Sequence, residues 1–257
     1  MIIHRRERIN LKSGVSITNE IAVLAHDGHR FSGARHSHEQ AQLLYAVSGV
    51  VSIKTEEGTW IVPPSRAVWL PPRLEHETSS RAGVQFRSLL IDTSGIHGLP
   101  EECMVVEITP LLRELILKFA DLAETPGSRD RTEAVVRLFL MEMSFQPAQP
   151  LSLPTPKQPD LARLCAKMRE DLAVSIPIKE AATMLRMSRA TFMRLFRRET
   201  GMSFGHWRQQ ARMLDALVLL ADGRSILDVA LECGYSSPSA FSAMFRRSLG
   251  CPPSAYF

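Results

Sequence analysis

The stretch IKEAATMLRMSRATFMRLFRRETG, Ile178–Gly201, returns in altered form as ILDVALECGYSSPSAFSAMFRRSLG, Ile226–Gly250. Ile178 and Ala182 match Ile226 and Ala230 at an offset of 48. Phe196, Arg197, Arg198 and Gly201 match Phe245, Arg246, Arg247 and Gly250 at an offset of 49. The offset changes once, so the second copy carries one extra residue between its two halves. Turns accept such insertions and packed helices do not. Each copy therefore reads as two helices joined by a turn, a helix-turn-helix unit. Ser188 and Ser237 stand as N-caps of the second helices, and Gly201 and Gly250 as their stops. Pro238 falls at a first helical position, where its missing N–H costs nothing.

One long helix joins the copies. Ser203 caps it, it runs from about Phe204 to Ala221, and Gly223 stops it. Ser225 then caps Ile226–Cys233, with Gly234 as the stop. A connector of about 20 residues is ~30 Å long, against ~34 Å between successive major grooves on one side of B-DNA. The spacing suits two recognition helices in adjacent groove segments, with some bending of the duplex. In the first recognition helix Phe192, Leu195 and Phe196 form an inward stripe; Arg189, Ala190, Met193, Arg194 and Arg197 form the opposite one. Arg194 is the leading base reader, because a guanidinium can take guanine O6 and N7 together. Ala190 and Met193 suit thymine methyls, while Arg197 and Arg198 suit phosphates. In the second helix Phe241, Met244 and Phe245 point inward and leave Ser239, Ser242, Ala243, Arg246 and Arg247 outside. That face is poor in donors near its start, so backbone affinity is its expected contribution.

Composition agrees with this division. Residues 157–257 hold 15 Lys+Arg against 9 Asp+Glu, a net +6, while residues 1–156 hold 16 against 18, a net −2. The C-terminal part has the sign a phosphate backbone attracts. The N-terminus, MIIHRRERIN, turns charged before an apolar run develops, and no segment is apolar enough to span a bilayer. A cytoplasmic protein without membrane contact is expected. Cys103, Cys165, Cys233 and Cys251 lack zinc-ligand spacing and read as free thiols.

Residues 1–13 read as a polar arm. From Val15 to Ile91 short strands alternate with turns: Val15–Leu24, Leu43–Val47, Val50–Thr55, Thr59–Val62, Ala67–Leu70 and Val84–Ile91. Many short strands at close spacing suggest a small barrel or jelly roll. Within it lie His36-Ser-His38-Glu-Gln-Ala-Gln42 and Pro71-Pro-Arg-Leu-Glu-His76, which resemble the two cupin motifs. In cupins two His and a Glu from the first motif and a His from the second hold a metal. His36, His38 and His76 match; Gln42 stands where the Glu belongs, Ser80 where Asn is frequent, and Arg73 replaces a turn glycine. His-x-His on a strand puts both imidazoles on one face, and a third His completes a facial site for zinc, iron or another divalent ion. The bland alternative is a metal-free pocket, or histidines that merely hydrogen-bond in the barrel. His36, His38, Gln42, Tyr45, Trp60, Trp69 and His76 are the candidate effector-pocket residues, with Phe86 beside them; such aromatics equally serve as core. No cofactor is required by this reading, and a divalent metal is possible only at the three His.

From Thr109 the period becomes helical. Leu111, Leu112, Leu115, Ile116, Phe119 and Leu122 mark one amphipathic helix, Pro126-Gly127 breaks it, and Val135, Val136, Leu138, Phe139 and Met143 mark a second. Their apolar faces cover the barrel or a second subunit. Residues 146–159 hold five prolines and read as an extended spacer. Asp160 then caps a helix to about Leu172. The expected fold is α+β: a cupin-like barrel over residues 1–108, two helices over 109–146, a Pro-rich linker over 147–159 and an all-α double helix-turn-helix domain over 160–257.

Ser188-Arg-x-x-Phe-x-Arg-Leu-Phe-Arg-Arg-x-x-Gly201 and Asp228-Val-Ala-x-x-x-Gly-Tyr-x-Ser-x-Ser-Ala-Phe-Ser-x-x-Phe-Arg-Arg-x-x-Gly-x-x-Pro253 resemble the AraC/XylS family of transcription regulators, over about residues 160–257. The resemblance implies a regulator, usually an activator, that binds double-stranded promoter DNA and contacts RNA polymerase. It also implies a small-molecule effector in the barrel and a homodimer. Base contacts are implied at Ala190, Met193, Arg194, Ser239, Ala240 and Ala243. Ala243 departs from the family, where Arg is frequent. The competing reading is a cupin metal enzyme, an oxygenase or isomerase, with an appended helical domain; the three His favour it and Gln42 does not.

Overall fold

The computed structural model describes residues 12–16, 21–94, 96, 98–124, 129–146, 151–174 and 176–256. The polar arm falls outside them except for residues 12 and 13, as do Pro126-Gly127, Pro147 and Pro150. The chain forms two compact units. One comprises Met1–Thr55 with Val62–Ala148, the other Glu56–Ile61 with Gln149–Phe257. Residues 56–61, read from sequence as barrel, thus group with the C-terminal residues.

The first unit holds two sheets. The larger contains β1 (Lys12–Ser16), β2 (Ile21–Gly28), β4 (Ala41–Ser48), β7 (Arg66–Leu70), β9 (Val84–Ile91), β10 (Met104–Glu107) and β11 (Phe145–Gln146), in the order β1-β2-β9-β4-β7-β10-β11. In the smaller, β8 (His76–Ser80) lies between β5 (Val51–Thr55) and β3 (Phe31–Ser32), both antiparallel to it. The single strand expected over 15–24 is two strands, β1 and β2, with residues 17–20 outside the described set. β3, β8 and β10 are additions; each is short or polar and lacks a recognisable alternation.

Side-chain parity explains the packing of the large sheet. Ala41, Leu43 and Tyr45 on β4 stand level with Ile91, Leu89 and Arg87 on β9, and Leu43 with Trp69 on β7. This face joins the buried cluster of Ile21, Val23, Leu43, Tyr45, Trp69, Leu89 and Ile91 with helix residues. Helix α1 (Pro110–Glu124) supplies Leu112, Leu115, Ile116 and Phe119 to it; α2 (Arg129–Glu142) supplies Val136 and Phe139. The two rings Phe119 and Phe139 meet edge-on at 5.1 Å. Both amphipathic helices therefore bury their apolar faces against their own sheet. At about 25 cal/mol per Å² of apolar surface, such a cluster is the main cohesive term of the unit.

The second unit contains β6 (Gly58–Val62) paired antiparallel with β12 (Ser152–Pro154), followed by six helices. These are α3 (Pro159–Glu170), α4 (Ile178–Met184), α5 (Arg189–Thr200), α6 (Phe204–Ala221), α7 (Ile226–Glu232) and α8 (Pro238–Leu249). The described part of the Pro-rich segment, from residue 151 on, contains the extended strand β12, in keeping with its composition, and it is also held. Leu151 and Leu153 are buried, Gln210 on α6 donates to the Ser152 carbonyl, and Trp207 Nε1 donates to the Pro154 carbonyl at 2.9 Å. Arg169 on α3 donates to Thr59 Oγ1 at 3.2 Å. The cap of α3 is the Gln158 side chain, not Asp160, because Pro159 occupies the first helical position. Asp160 instead pairs with Arg163 one turn on.

Candidate functional site

The repeat is exact in helix limits. α4 and α7 begin and end 48 residues apart, α5 and α8 begin and end 49 apart. The extra residue lies in the second turn. Arg186 and Gly234, 48 apart, both take left-handed backbone, with φ of 52° and 73°. Both turns close alike: Met187 N–H donates to the Ala182 carbonyl at 2.9 Å and Tyr235 N–H to the Ala230 carbonyl at 2.8 Å. Ser188 Oγ accepts from Thr191 N–H and Ser237 Oγ from Ala240 N–H, fixing where α5 and α8 start. Gly201 and Gly250 end them in left-handed conformation, at φ 70° and 85°.

The inward stripe of α5 is Phe192 and Phe196, both fully buried, whose rings meet Phe204 of α6 at 5.2 and 5.3 Å. Leu195, expected with them, is half-buried. In α8 Phe241, Met244 and Phe245 are buried, and Phe245 stacks edge-on with Tyr256 at 5.3 Å. The opposite faces are in solvent. Arg189, Ala190, Met193, Arg194, Arg197 and Arg198 are exposed on α5; Ser239, Ala240, Ala243, Arg246 and Arg247 are exposed on α8, with Ser242 half-buried. Met193 is a large apolar side chain left 47% exposed. Burial would be the default for it, so its position among four arginines is informative. Arg198 pairs with Glu199 at 3.4 Å. The other arginines of the two faces enter no ion pair among the described residues. The connecting helix α6 has 18 residues, hence ~27 Å of length.

The inner face of the large sheet carries the second candidate site. Gln42, Leu44 and Ala46 alternate with the helix-facing residues, and Gln42 Nε2 donates to Ser88 Oγ at 2.7 Å. Tyr45 and Trp69 lie on the other face, in the cluster with α1 and α2. They are core residues of the helix side, not neighbours of Gln42, because their odd-numbered positions on β4 and β7 turn them outward. Trp60 lies on β6 in the other unit, buried, with its indole N–H unpartnered.

The three candidate histidines do come together. His36 and His76 face each other in an antiparallel bridge, exchanging backbone hydrogen bonds of 3.0 and 2.9 Å. Their rings lie 4.5 Å apart, and His38 lies 4.8 Å from His36 and 5.6 Å from His76. The His38 carbonyl accepts from Arg73 N–H at 2.7 Å, and Arg73 holds left-handed backbone at φ 64° where a glycine would be unstrained. Its guanidinium reaches Glu39 at 2.9 Å, and Arg35 reaches Glu75 at 2.9 Å. Burial, reinforced by His36 and His76, holds the His38 imidazole down to about 4; burial likewise lowers His76. His38 is therefore neutral at pH 7.

One residue of the inner face has no sequence motif to announce it. His26 on β2 is 6% exposed with both ring nitrogens unpartnered, between Phe31 at 4.9 Å and Phe86 at 5.3 Å. Parity along β2 is its only signal. Cys165 and Cys233 are buried thiols pushed up to about 12 by desolvation, inert at neutral pH.

Comparison with known proteins returns the same two parts. Residues 19–142 match the family described as AraC-like ligand binding domain, and residues 181–257 the family described as Helix-turn-helix domain. The HTH-type transcriptional regulator NimR of Escherichia coli (strain K12) is 34% identical over 221 residues, covering 86% of this chain and 81% of its own. The thermoregulatory protein LcrF of Yersinia pestis is 27% identical over 231 residues, covering 87% and 82%. Among solved structures, the DNA-binding domain of AdpA in complex with a target DNA is 39% identical, covering 38% of this chain and 88% of that chain, with a TM-score of 0.36.

Proposed function

The chain belongs to the AraC family of helix-turn-helix transcriptional regulators, and from that premise we propose that α5 and α8 enter successive major grooves of promoter DNA while the barrel takes a small-molecule effector. It is a regulator and not an enzyme: its relatives are regulators, and nothing among them supports the metal-enzyme alternative. The observation that carries the DNA-binding mode is the duplicated outward face, exposed on both helices at one offset. Arg194 reads guanine, Ala190 and Met193 touch thymine methyls, and Arg189, Arg197 and Arg198 hold phosphates. Ser239, Ala240, Ser242 and Ala243 give α8 little base preference, so Arg246 and Arg247 supply mainly backbone affinity.

The effector position lies between the inner face of the large sheet, with Gln42 and His26, and the His36, His38 and His76 group at β8 of the smaller sheet. Unpartnered buried ring nitrogens support this, because each costs about 1–3 kcal/mol until something pairs with it. The effector acts by binding one state of the protein better than another. Among the described residues no helix is long and apolar enough to cross a membrane, consistent with action in the cytoplasm. RNA polymerase is the further partner, with activation the usual outcome. A homodimer through α1 and α2 is supported by exposed Leu111, Leu138 and Met141.

The test is anisotropy with DNA from upstream of the genes adjoining its own. Affinity falls steeply with salt as neutralised phosphates release counterions. A complex that ignores salt, or none at all, refutes the proposal.

A further inference from the structure

We propose that Glu199 is a positioning residue for DNA reading, a latch that ties the incoming chain at residues 157–158 to the last turn of α5 and so sets the pose of the first recognition helix. This rests on α5 being a DNA-reading helix and goes beyond it. Glu199 is out of place on ordinary grounds. It follows Arg197 and Arg198 at the C-terminal end of α5, where the helix dipole disfavours an anion and a phosphate backbone repels one. Its side chain turns away from solvent, 15% exposed against 74% for Arg198 beside it. There Glu199 Oε2 accepts from two backbone N–H groups, that of Gln158 at 3.1 Å and that of Lys157 at 3.2 Å. Its other oxygen takes the Arg198 guanidinium at 3.4 Å. Hydrogen bonds to a carboxylate are roughly twice as strong as neutral ones.

Residues 157–158 lie on the stretch that leads the chain into α3, inside the second unit. The Gln158 side chain in turn accepts from Leu161 N–H and caps α3. One carboxylate thereby joins the start of α3 to the end of α5. The other hold on α5 is apolar: Phe192 and Phe196 pack on Phe204 of α6. Apolar burial is non-directional, whereas hydrogen bonds weaken steeply off their preferred angle, so the latch resists a roll of α5 that ring packing tolerates. Two-pronged reading of guanine by Arg194 needs placement within about 0.5 Å. The second copy lacks the device. At the offset of 49 Ser248 takes the place of Glu199, and its Oγ donates to Met244 Sδ of its own helix at 3.6 Å. The helix given base reading has the latch, and the helix given backbone affinity does not.

The experiment compares full-length wild type, Glu199→Gln, Glu199→Ala and Glu199→Ser by anisotropy, on the upstream DNA and on a scrambled duplex of equal length. All three variants lose the same negative charge. Electrostatics alone therefore makes all three bind every sequence tighter. The latch makes them differ. Glu199→Gln keeps an oxygen for the two N–H groups and binds the upstream site at least as well as wild type. Glu199→Ala and Glu199→Ser bind that site about 5-fold or more weaker, and discrimination against the scramble falls with it. Glu199→Ser carries the residue with which the second copy folds, and far-UV dichroism checks that every variant keeps its helices. Amide exchange at residues 157 and 158 speeds up in Glu199→Ala and Glu199→Ser and stays slow in Glu199→Gln. Tighter binding by all three variants, equal loss on both duplexes, or unchanged exchange at 157–158 in Glu199→Ala overturns the latch. With a wild type that binds the upstream DNA, any of these results sinks the latch alone. A wild type that binds neither duplex sinks the DNA-reading premise and the latch with it.

Discussion

Gly234→Ala will destabilise the second helix-turn-helix far more than the same change at Gly201. Both glycines are left-handed, at φ 73° and 70°. A Cβ in that conformation costs about 1–2 kcal/mol, and at Gly201 nothing else opposes it, because no atom lies within 4 Å of where it would sit. At Gly234 the added carbon would lie 2.9 Å from Ala173 Cα and 3.1 Å from both the Leu172 carbonyl oxygen and the Arg212 guanidinium. The guanidinium tip can swing away. The backbone at 172–173 cannot move freely, since the Leu172 carbonyl also accepts from Arg212 Nε at 3.1 Å. Forcing it aside adds about 1–3 kcal/mol, the usual cost of overpacking. Gly234→Ala should therefore cost about 2–5 kcal/mol and Gly201→Ala about 1–2. Arg186→Gly, which removes a strained side chain at the matching turn but adds freedom to the unfolded chain, should change stability by less than about 1 kcal/mol. Urea unfolding followed by far-UV dichroism measures all three. If Gly234→Ala and Gly201→Ala agree within error, the close approach at 172–173 has no energetic weight and the argument fails.

Three further outcomes are expected. Arg194→Ala should lose about 1–3 kcal/mol at the cognate site and relax base choice there; uniform loss on all sequences in competition binding would make it a phosphate clamp. Ser188→Ala and Ser237→Ala should each cost about 1 kcal/mol through the lost caps, and a Tm unchanged in both would show that the capping bonds contribute nothing. Metal-free protein should lose stability as pH falls from the ordinary histidine range toward 4. His38 titrates near 4 in the folded chain but near 6.5 once unfolded, so the unfolded state takes up protons first. His38→Gln should flatten that slope in thermal melts across pH, and an identical slope would assign it to other groups.

The helical part was almost wholly legible from sequence because its signals are local. A serine before a helical run and a glycine after it set boundaries within one turn, and two copies checked each other. α6 begins at Phe204 and ends at Ala221 as read. The barrel was legible only in outline. β8 carries His76, Glu77, Thr78, Ser79 and Ser80, a run with no apolar alternation, and its identity as a strand is decided by pairing with β5 twenty residues away. Tyr45 and Trp69 show the same limit from another side. Their aromatic character fits a pocket or a core equally, and only the packing of α1 on the sheet decides. The three histidines were found because an x-spaced pair is visible in one dimension; His26 has no such neighbour.

The ladder between β6 and β12 bears on how this protein can be divided. A fragment cut at residue 160, where the first predicted helix of the C-terminal domain begins, would keep every residue expected to touch DNA. It would also strip Trp207 and Gln210 of the carbonyls they grip, leave Arg169 without Thr59, and lay bare apolar surface now covered by Leu151 and Leu153. Such a fragment carries the whole reading head without its bracket. An excised reader that behaves well will have to take residues 149–158 with it and find a substitute for the strand borrowed from 56–61.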